Sequence, residues 1–397
     1  MTMQYASITK RLAGLGSAKW DVHSRAVKLR AEGRDVLMMT IGEPDVQTPD
    51  GLIETAKKAM DAGRTGYSNG RGEADLLDAL SKRYSRSTGR VISADQFLCL
   101  PGTQSALYLV LTGITETGDE VLVGDPMYAT YEGVIAASGA EVIPVPLQAQ
   151  NGFRMQAADI AARITPRSRA ILLNSPHNPT GAILTPNDIA EIGALAVKHN
   201  LWIISDEVYE EMVFEDAKFT SPLAFEEFAE RVVVVSSISK SHAAPGFRTG
   251  WAVGSAEFTA QALPVAETML FGNQPFIAEM TAQAVSEPSK VAQGMRARFC
   301  KRAGLVFDTL DGVAGLQVNQ PQGGMFVLID ISATGLTSND YAYDLLENTG
   351  VAVMPGTSFG TSLTDWVRFA LTKDDAVIKE ACKRIAKHAR GFERKNK

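Results

Sequence analysis

The chain has 397 residues, with 39 Lys and Arg against 45 Asp and Glu and a formal net charge of −6 at pH 7. At 45% hydrophobic and 21% charged residues it is too apolar for a disordered chain, and its length predicts two or three structural units with large cores. A mildly acidic balance with no long basic block does not suit a phosphate backbone, and no apolar run approaches the ~20 residues that span a bilayer, so neither nucleic acid nor membrane is an expected partner. Residues 1–10 hold no apolar signal segment, and a cytoplasmic protein is expected. Cys99, Cys300 and Cys382 lie far apart and match no metal-ligand spacing; they read as three buried thiols of a reducing compartment, and no metal site is expected. Lys383, Arg384, Lys387, Arg390 and Lys395 read as a solvated helix face and a frayed end.

In chain order, the first 45 residues carry a helical pattern without a strand partner and are expected to pack with the C-terminal unit. Strands are then predicted over 96–100, 120–123, 141–145, 169–173, 201–205, 232–236 and 250–253. Helical patterns lie between them, as over 105–115 and 186–199, the latter entered by Thr185 as N-cap and Pro186 in the first turn. Near-continuous apolar strands separated by helices predict an α/β unit with a mostly parallel seven-stranded sheet covered on both faces. Beyond residue 285 the order is helix 289–310, strand 325–331, helix 338–348, strands 351–354 and 366–371, and a final helix, a smaller α+β unit. The expected division is a segment 1–45 that joins the small domain, a large domain 46–284 and a small domain 285–397, with a cleft between them.

Ligands of an open α/β sheet gather beyond the carboxyl ends of its strands. There, Pro101-Gly102-Thr103-Gln104-Ser105 opens a helix with small residues, a weak anion-binding signal that many loops share. Asn174-Ser175-Pro176-His177-Asn178-Pro179-Thr180-Gly181 is either a tight turn or a rigid presentation of Asn178 to the same edge. Asp206-Glu207-Val208-Tyr209 is either a helix cap or a desolvated carboxylate that needs a cation. The run 232–236 leads into Ser237-Ile238-Ser239-Lys240-Ser241-His242, with Gly246-Phe247-Arg248-Thr249-Gly250 soon after. A lysine at the end of a buried strand is either paired with a carboxylate or lowered in pKa, and the lowered amine is the form that attacks carbonyls. The hydroxyls and arginine near it suggest a phosphate cradle.

In this order, and from Gly42-Glu43-Pro44-Asp45 to Arg368, these residues resemble the class I/II pyridoxal-phosphate-dependent aminotransferases of fold type I, the aspartate aminotransferase superfamily. The resemblance implies pyridoxal 5′-phosphate as cofactor, amino-acid and 2-oxo-acid substrates, and a homodimer with shared active sites. It implies that Lys240 forms the Schiff base with the cofactor and shuttles the proton, while Asp206 pairs with the pyridine nitrogen. Tyr209 and Asn178 would bond the phenolic oxygen, and Tyr128 would stack on the ring. Arg248, Ser237 and the backbone around Gln104 and Ser105 would hold the phosphate, which Tyr67 would reach from the neighbouring subunit. Arg368 would clamp the substrate α-carboxylate, with backbone of Gly42 beside it. One departure is Leu77, which stands where the family commonly has an arginine; it reads as structural.

The implied reaction is a ping-pong transamination. Its donor is less constrained. Residues 268–275, where the best-known aspartate enzymes carry a second arginine, hold no Arg or Lys, and Gln104 stands where another aspartate branch has a lysine. Arg11, Arg25 or Arg71 could substitute. The segments Ala18-Lys19-Trp20-Asp21-Val22-His23, Asn151-Gly152-Phe153-Arg154 and Ser239-Lys240-Ser241-His242-Ala243 are similar to arginine–pyruvate transaminases. Arginine or another basic or neutral donor is therefore expected, with Glu43, Asp45 or Glu267 lending acidic character. Aspartate/glutamate transamination and β-elimination by a lyase stay open as alternatives.

Overall fold

The structure, a computed structural model, describes residues 3–16, 18–214 and 216–393. Its strands in chain order are β1 (Leu37–Met38), β2 (Phe97–Leu100), β3 (Glu120–Asp125), β4 (Glu141–Pro146), β5 (Ser168–Asn174), β6 (Trp202–Asp206), β7 (Val232–Ser237), β8 (Gly250–Val253), β9 (Gln317–Asn319), β10 (Phe326–Asp330), β11 (Val351–Ala352), β12 (Met354–Pro355) and β13 (Trp366–Ala370).

The large sheet has seven strands in the order β2-β8-β7-β6-β5-β3-β4. All neighbours are parallel except β8, which is antiparallel to both β2 and β7. The exception follows from the connection: between β7 and β8 the chain makes only a short loop, and without a crossover helix the next strand must run back. That loop carries both Lys240 and Arg248. Apolar clusters fill both faces of this sheet, which is why β2, β3 and β7 are buried along their whole length. Helix Pro186–Lys198 is closed by the cap expected of it: Thr185 Oγ1 accepts from the Asp188 N–H at 3.1 Å, and Asp188 accepts from the Thr185 N–H at 2.8 Å.

A four-stranded antiparallel sheet, β12-β13-β10-β9, carries the second core. The run 351–354 is two strands and not one. β11 pairs in parallel with β1, and β12 pairs with β13, because the chain passes from one sheet to the other at Val353. Helix Asp21–Ala31 places Val22, Ala26 and Leu29 in the same core as β10 and β13. Cys99 and Cys382 are buried, whereas Cys300 is half-buried. Lys383, Arg384, Lys387 and Arg390 lie on helix Asp375–Glu393; Lys395 is outside the described residues. Among the described residues no helix is long and apolar enough to cross a membrane.

Candidate active site

Parallel register brings the ends of β5 and β6 level, so that Asn174 sits opposite Asp206. Beyond these ends lies a cavity of about 300 Å³ whose wall also takes Phe326 and Arg368 from the small sheet. Gly42, Gln104, Tyr128, Asn178, Asp206, Tyr209, Ser237, Lys240, Arg248 and Arg368 all line it. Two expected residues stand apart. Ser105 does not line the cavity and turns its hydroxyl back to the Pro101 carbonyl at 3.2 Å, the bond a helical serine makes to the residue four positions before it. Tyr67 is 92% exposed, with its ring edge-on to Phe271.

Lys240 Nζ donates to the Gly42 carbonyl at 2.8 Å. Burial pushes this amine down to about 8; Arg368 and Arg248 push the same way, against Glu43 and Asp206. Asp206 accepts from the Tyr131 hydroxyl at 2.7 Å and from the Val208 N–H at 3.2 Å. Burial still raises its carboxyl to about 6, against those bonds and the Lys240 charge. Asn174 laces the edge together: its amide donates to the Asp206 carbonyl at 3.1 Å, and its oxygen accepts from the Asn178 N–H at 2.9 Å. Burial likewise holds the Tyr209 hydroxyl well above the usual tyrosine range.

Arg368 lies midway along β13, buried, with Nη1 donating to Asn178 Oδ1 at 2.9 Å and Nη2 to the Thr40 carbonyl at 2.7 Å. Its guanidinium carbon is 3.8 Å and 4.4 Å from the ring centres of Phe326 and Phe359, and Nε has no partner. No carboxylate among the described residues pairs with it. Burial lowers its pKa, yet a guanidinium keeps its charge, so this is a desolvated cation shaped to receive an anion.

A second anion site forms where helix Thr103–Ile114 begins. Its N-cap is Gly102, which offers no side chain to the first N–H groups. Gly102 has φ +85°, and a Cβ there would come within 2.3 Å of Arg248 Nη2, so only glycine lets the guanidinium lie against the turn. Arg248 donates only to carbonyls, to Pro245 at 2.7 Å and Pro101 at 3.4 Å. The buried hydroxyl of Thr103 has no partner, and Thr103, Ser237 and Ser239 line the same cavity. Uncapped N–H groups, a guanidinium with no carboxylate partner and an orphaned hydroxyl are a donor set that suits a phosphate.

Sequence reasoning missed Tyr131 and Phe326, and it named Thr103 and Trp20 only as members of their segments, without a place in the site. Tyr131 opens an apolar helix, Tyr131–Ser138, and nothing local distinguishes it from a core residue. The suggested acids and cations are also reassigned. Asp45 is occupied by Arg298 at 2.8 Å and Arg302 at 2.7 Å, two partners some 250 positions away, and does not line the cavity. Glu267 packs against Gly70, outside the wall, while Glu43 is exposed next to Gly42. Arg11 bonds the Ala136 carbonyl, Arg25 pairs with Glu347, and Arg71 bonds the Phe97 carbonyl; none of the three reaches the cavity.

Residues 34–385 match the family model of aminotransferases class I and II. The chain is 41% identical to the arginine–pyruvate transaminase of Pseudomonas aeruginosa over 97% of its own length and 98% of that protein. It is 33% identical to the aspartate/prephenate aminotransferase of Cereibacter sphaeroides over 94% of its length and 95% of that protein. Among solved structures, a double mutant of the aspartate aminotransferase of Thermus thermophilus superimposes with a TM-score of 0.91 at 29% identity, covering 97% of this chain and all of that one (100%). The chain belongs to the class I and II aminotransferases, pyridoxal-phosphate-dependent transaminases of fold type I.

Proposed function

We propose that this transaminase takes the α-amino group of L-arginine, or of another basic or neutral amino acid, and passes it to a 2-oxo acid such as pyruvate or 2-oxoglutarate. One observation carries the reading. The wall holds a single acid-free buried guanidinium, Arg368, suited to an α-carboxylate, and its other cations, Lys240 and Arg248, sit where the cofactor belongs. A dicarboxylate donor would need a further cation, and Arg11, Arg25 and Arg71 are engaged elsewhere. The 41% identity to an arginine–pyruvate transaminase supports the same donor class.

The donor set fits pyridoxal 5′-phosphate. The bare helix start, the partnerless Thr103 hydroxyl, Ser237 and Arg248 suit its phosphate. Asp206 suits a protonated ring nitrogen, Asn178 and Tyr209 the phenolic oxygen, and Tyr128 the ring face. When bound, the cofactor supplies an aldehyde for the amine and an electron-withdrawing ring for the carbanion. The protein does the rest. A cation against Asp206 returns its carboxyl to the ionised form, and Tyr131 and the Val208 N–H fix its orientation. Lys240 Nζ, held down to about 8, is neutral in part near pH 7 and can take the proton from the donor Cα. Arg368 holds the donor carboxylate through its fork, which sets that Cα–H toward Lys240. The exposed aromatic pair of Tyr67 and Phe271 supports a homodimer in which Tyr67 serves the partner's site, and the buried thiols Cys99 and Cys382 support a cytoplasmic enzyme.

Single amino acids added to holoenzyme test the donor class by the conversion of the visible cofactor band to that of pyridoxamine 5′-phosphate. Arginine or lysine reacting ahead of aspartate and glutamate is the expected result. Conversion by aspartate and glutamate alone would overturn it, and release of pyruvate and ammonia from a cysteine conjugate without an acceptor would mark a lyase.

A further inference from the structure

We infer that Trp20 selects the donor side chain by receiving a cationic group on its indole face. The inference rests on the basic-donor reading above and names the residue that would enforce it.

Five aromatic residues line the cavity: Trp20, Tyr128, Tyr131, Tyr209 and Phe326. Four are committed. Tyr131 holds Asp206, and Tyr128 meets the Tyr131 ring at 5.5 Å. Tyr209 is bonded to Asn178, and Phe326 lies under the Arg368 guanidinium at 3.8 Å. Trp20 is half-buried, packed on one side against the large apolar cluster and lining the cavity on another, and its ring neighbour is His23, edge-on with centroids 6.1 Å apart. Asp206 is the sole carboxylate on the described wall, and Tyr131 and Val208 already bind it. A cationic side chain entering here finds no free carboxylate on the wall itself, Glu43 being exposed at the rim beside Gly42, and indole is the aromatic surface that binds cations best.

The surroundings hold Trp20 in place. It ends the turn Ala18–Trp20, just before helix Asp21–Ala31. Lys19 Nζ reaches Glu132 at 2.6 Å and the Ala129 carbonyl at 3.2 Å, while the Lys19 carbonyl accepts from Ser358 Oγ at 2.8 Å. The turn is thus tied to the large-sheet side and to the small-sheet side at once. From Trp20 the chain of contacts continues through His23 Nδ1 to Thr40 Oγ1 at 2.8 Å, and the Thr40 carbonyl accepts from Arg368 Nη2 at 2.7 Å. The group suited to the α-carboxylate and the group inferred to read the side chain are linked by one ring contact and two hydrogen bonds.

The test compares L-arginine with L-citrulline, whose neutral urea group replaces guanidinium at nearly equal size, in wild type, Trp20→Leu and Trp20→Phe holoenzymes. Wild type should prefer arginine. Trp20→Leu should lower the arginine-to-citrulline ratio of kcat/KM by about 3- to 30-fold, chiefly through KM, and Trp20→Phe by less. Calorimetric binding of arginine to the pyridoxamine 5′-phosphate form, which cannot turn it over, should weaken by the same factor. The ratio cancels a loss of folded enzyme. Equal loss of both donors, with the ratio unchanged, would show that Trp20 only packs and would overturn the inference. A wild type that ignores arginine would instead overturn the basic-donor reading, before any variant is measured.

Discussion

Replacing Lys240 by Met in the cofactor-free protein should stabilise it at pH 7 by about 2 kcal/mol. The amine is held at about 8 against an ordinary 10.5, and that difference costs the folded state about 3 kcal/mol while the lysine is protonated. Against this, Met forfeits the bond from Nζ to the Gly42 carbonyl, about 1 kcal/mol. The cost is present in full below pH 8, where folded and unfolded chains both carry the proton. Between pH 8 and 10.5 the unfolded chain keeps a proton that the folded chain has released, so the wild type gains stability as pH rises. Urea unfolding of both stripped proteins from pH 6 to 11 reads the difference. It should favour the variant at pH 7, shrink above pH 8, change sign at about pH 10 and favour the wild type by about 1 kcal/mol above 10.5, where only the Gly42 bond still distinguishes the two. A variant that is less stable at pH 7, with a difference that does not vary with pH, would refute a desolvated Lys240.

Asp206→Asn should slow the half-reaction by about 100-fold or more in stopped-flow absorbance, because it removes a charge aimed at the ring. In the stripped chain the same variant should gain stability above pH 6, since the folded wild type holds a proton on Asp206 between pH 3.8 and about 6 that the unfolded chain has lost. Arg368→Leu should raise the donor KM by about 100-fold, two charge-assisted bonds at about 1.5 kcal/mol each, and leave the bound-cofactor spectrum in place. Asp45→Asn should cost about 2 kcal/mol in urea unfolding by weakening the charge-assisted bonds from Arg298 and buried Arg302, which keeps Asp375, and should leave donor preference unchanged because Asp45 does not face the cavity.

The legible part of this molecule is the part whose determinants are local. Apolar runs such as Val232–Ser237, each ending in polar residues, place Asn178, Asp206, Ser237 and Lys240 at one sheet edge with little more than strand order. The N-cap of helix Pro186–Lys198 is local in the same sense. What escaped depends on partners distant in sequence. Asp45 looked available until Arg298 and Arg302 folded against it. Tyr131 carries no local signal, because its partner Asp206, 2.7 Å away, lies 75 positions later in the chain. β1 and β9 are two and three residues long, too short to show a period, and Val353 switches sheets because of where β1 and β13 lie and not because of any turn signal. Trp20 and Phe326 join the wall only when the two sheets are assembled.

The central claim is that the cavity around Lys240 is the cofactor site, and borohydride reduction of the holoenzyme followed by peptide mass mapping tests it most directly. The account predicts the pyridoxyl mass on the peptide containing Lys240, at one per chain, and none in Lys240→Ala. A label on any other lysine, or a labelled Lys240→Ala protein, would contradict it.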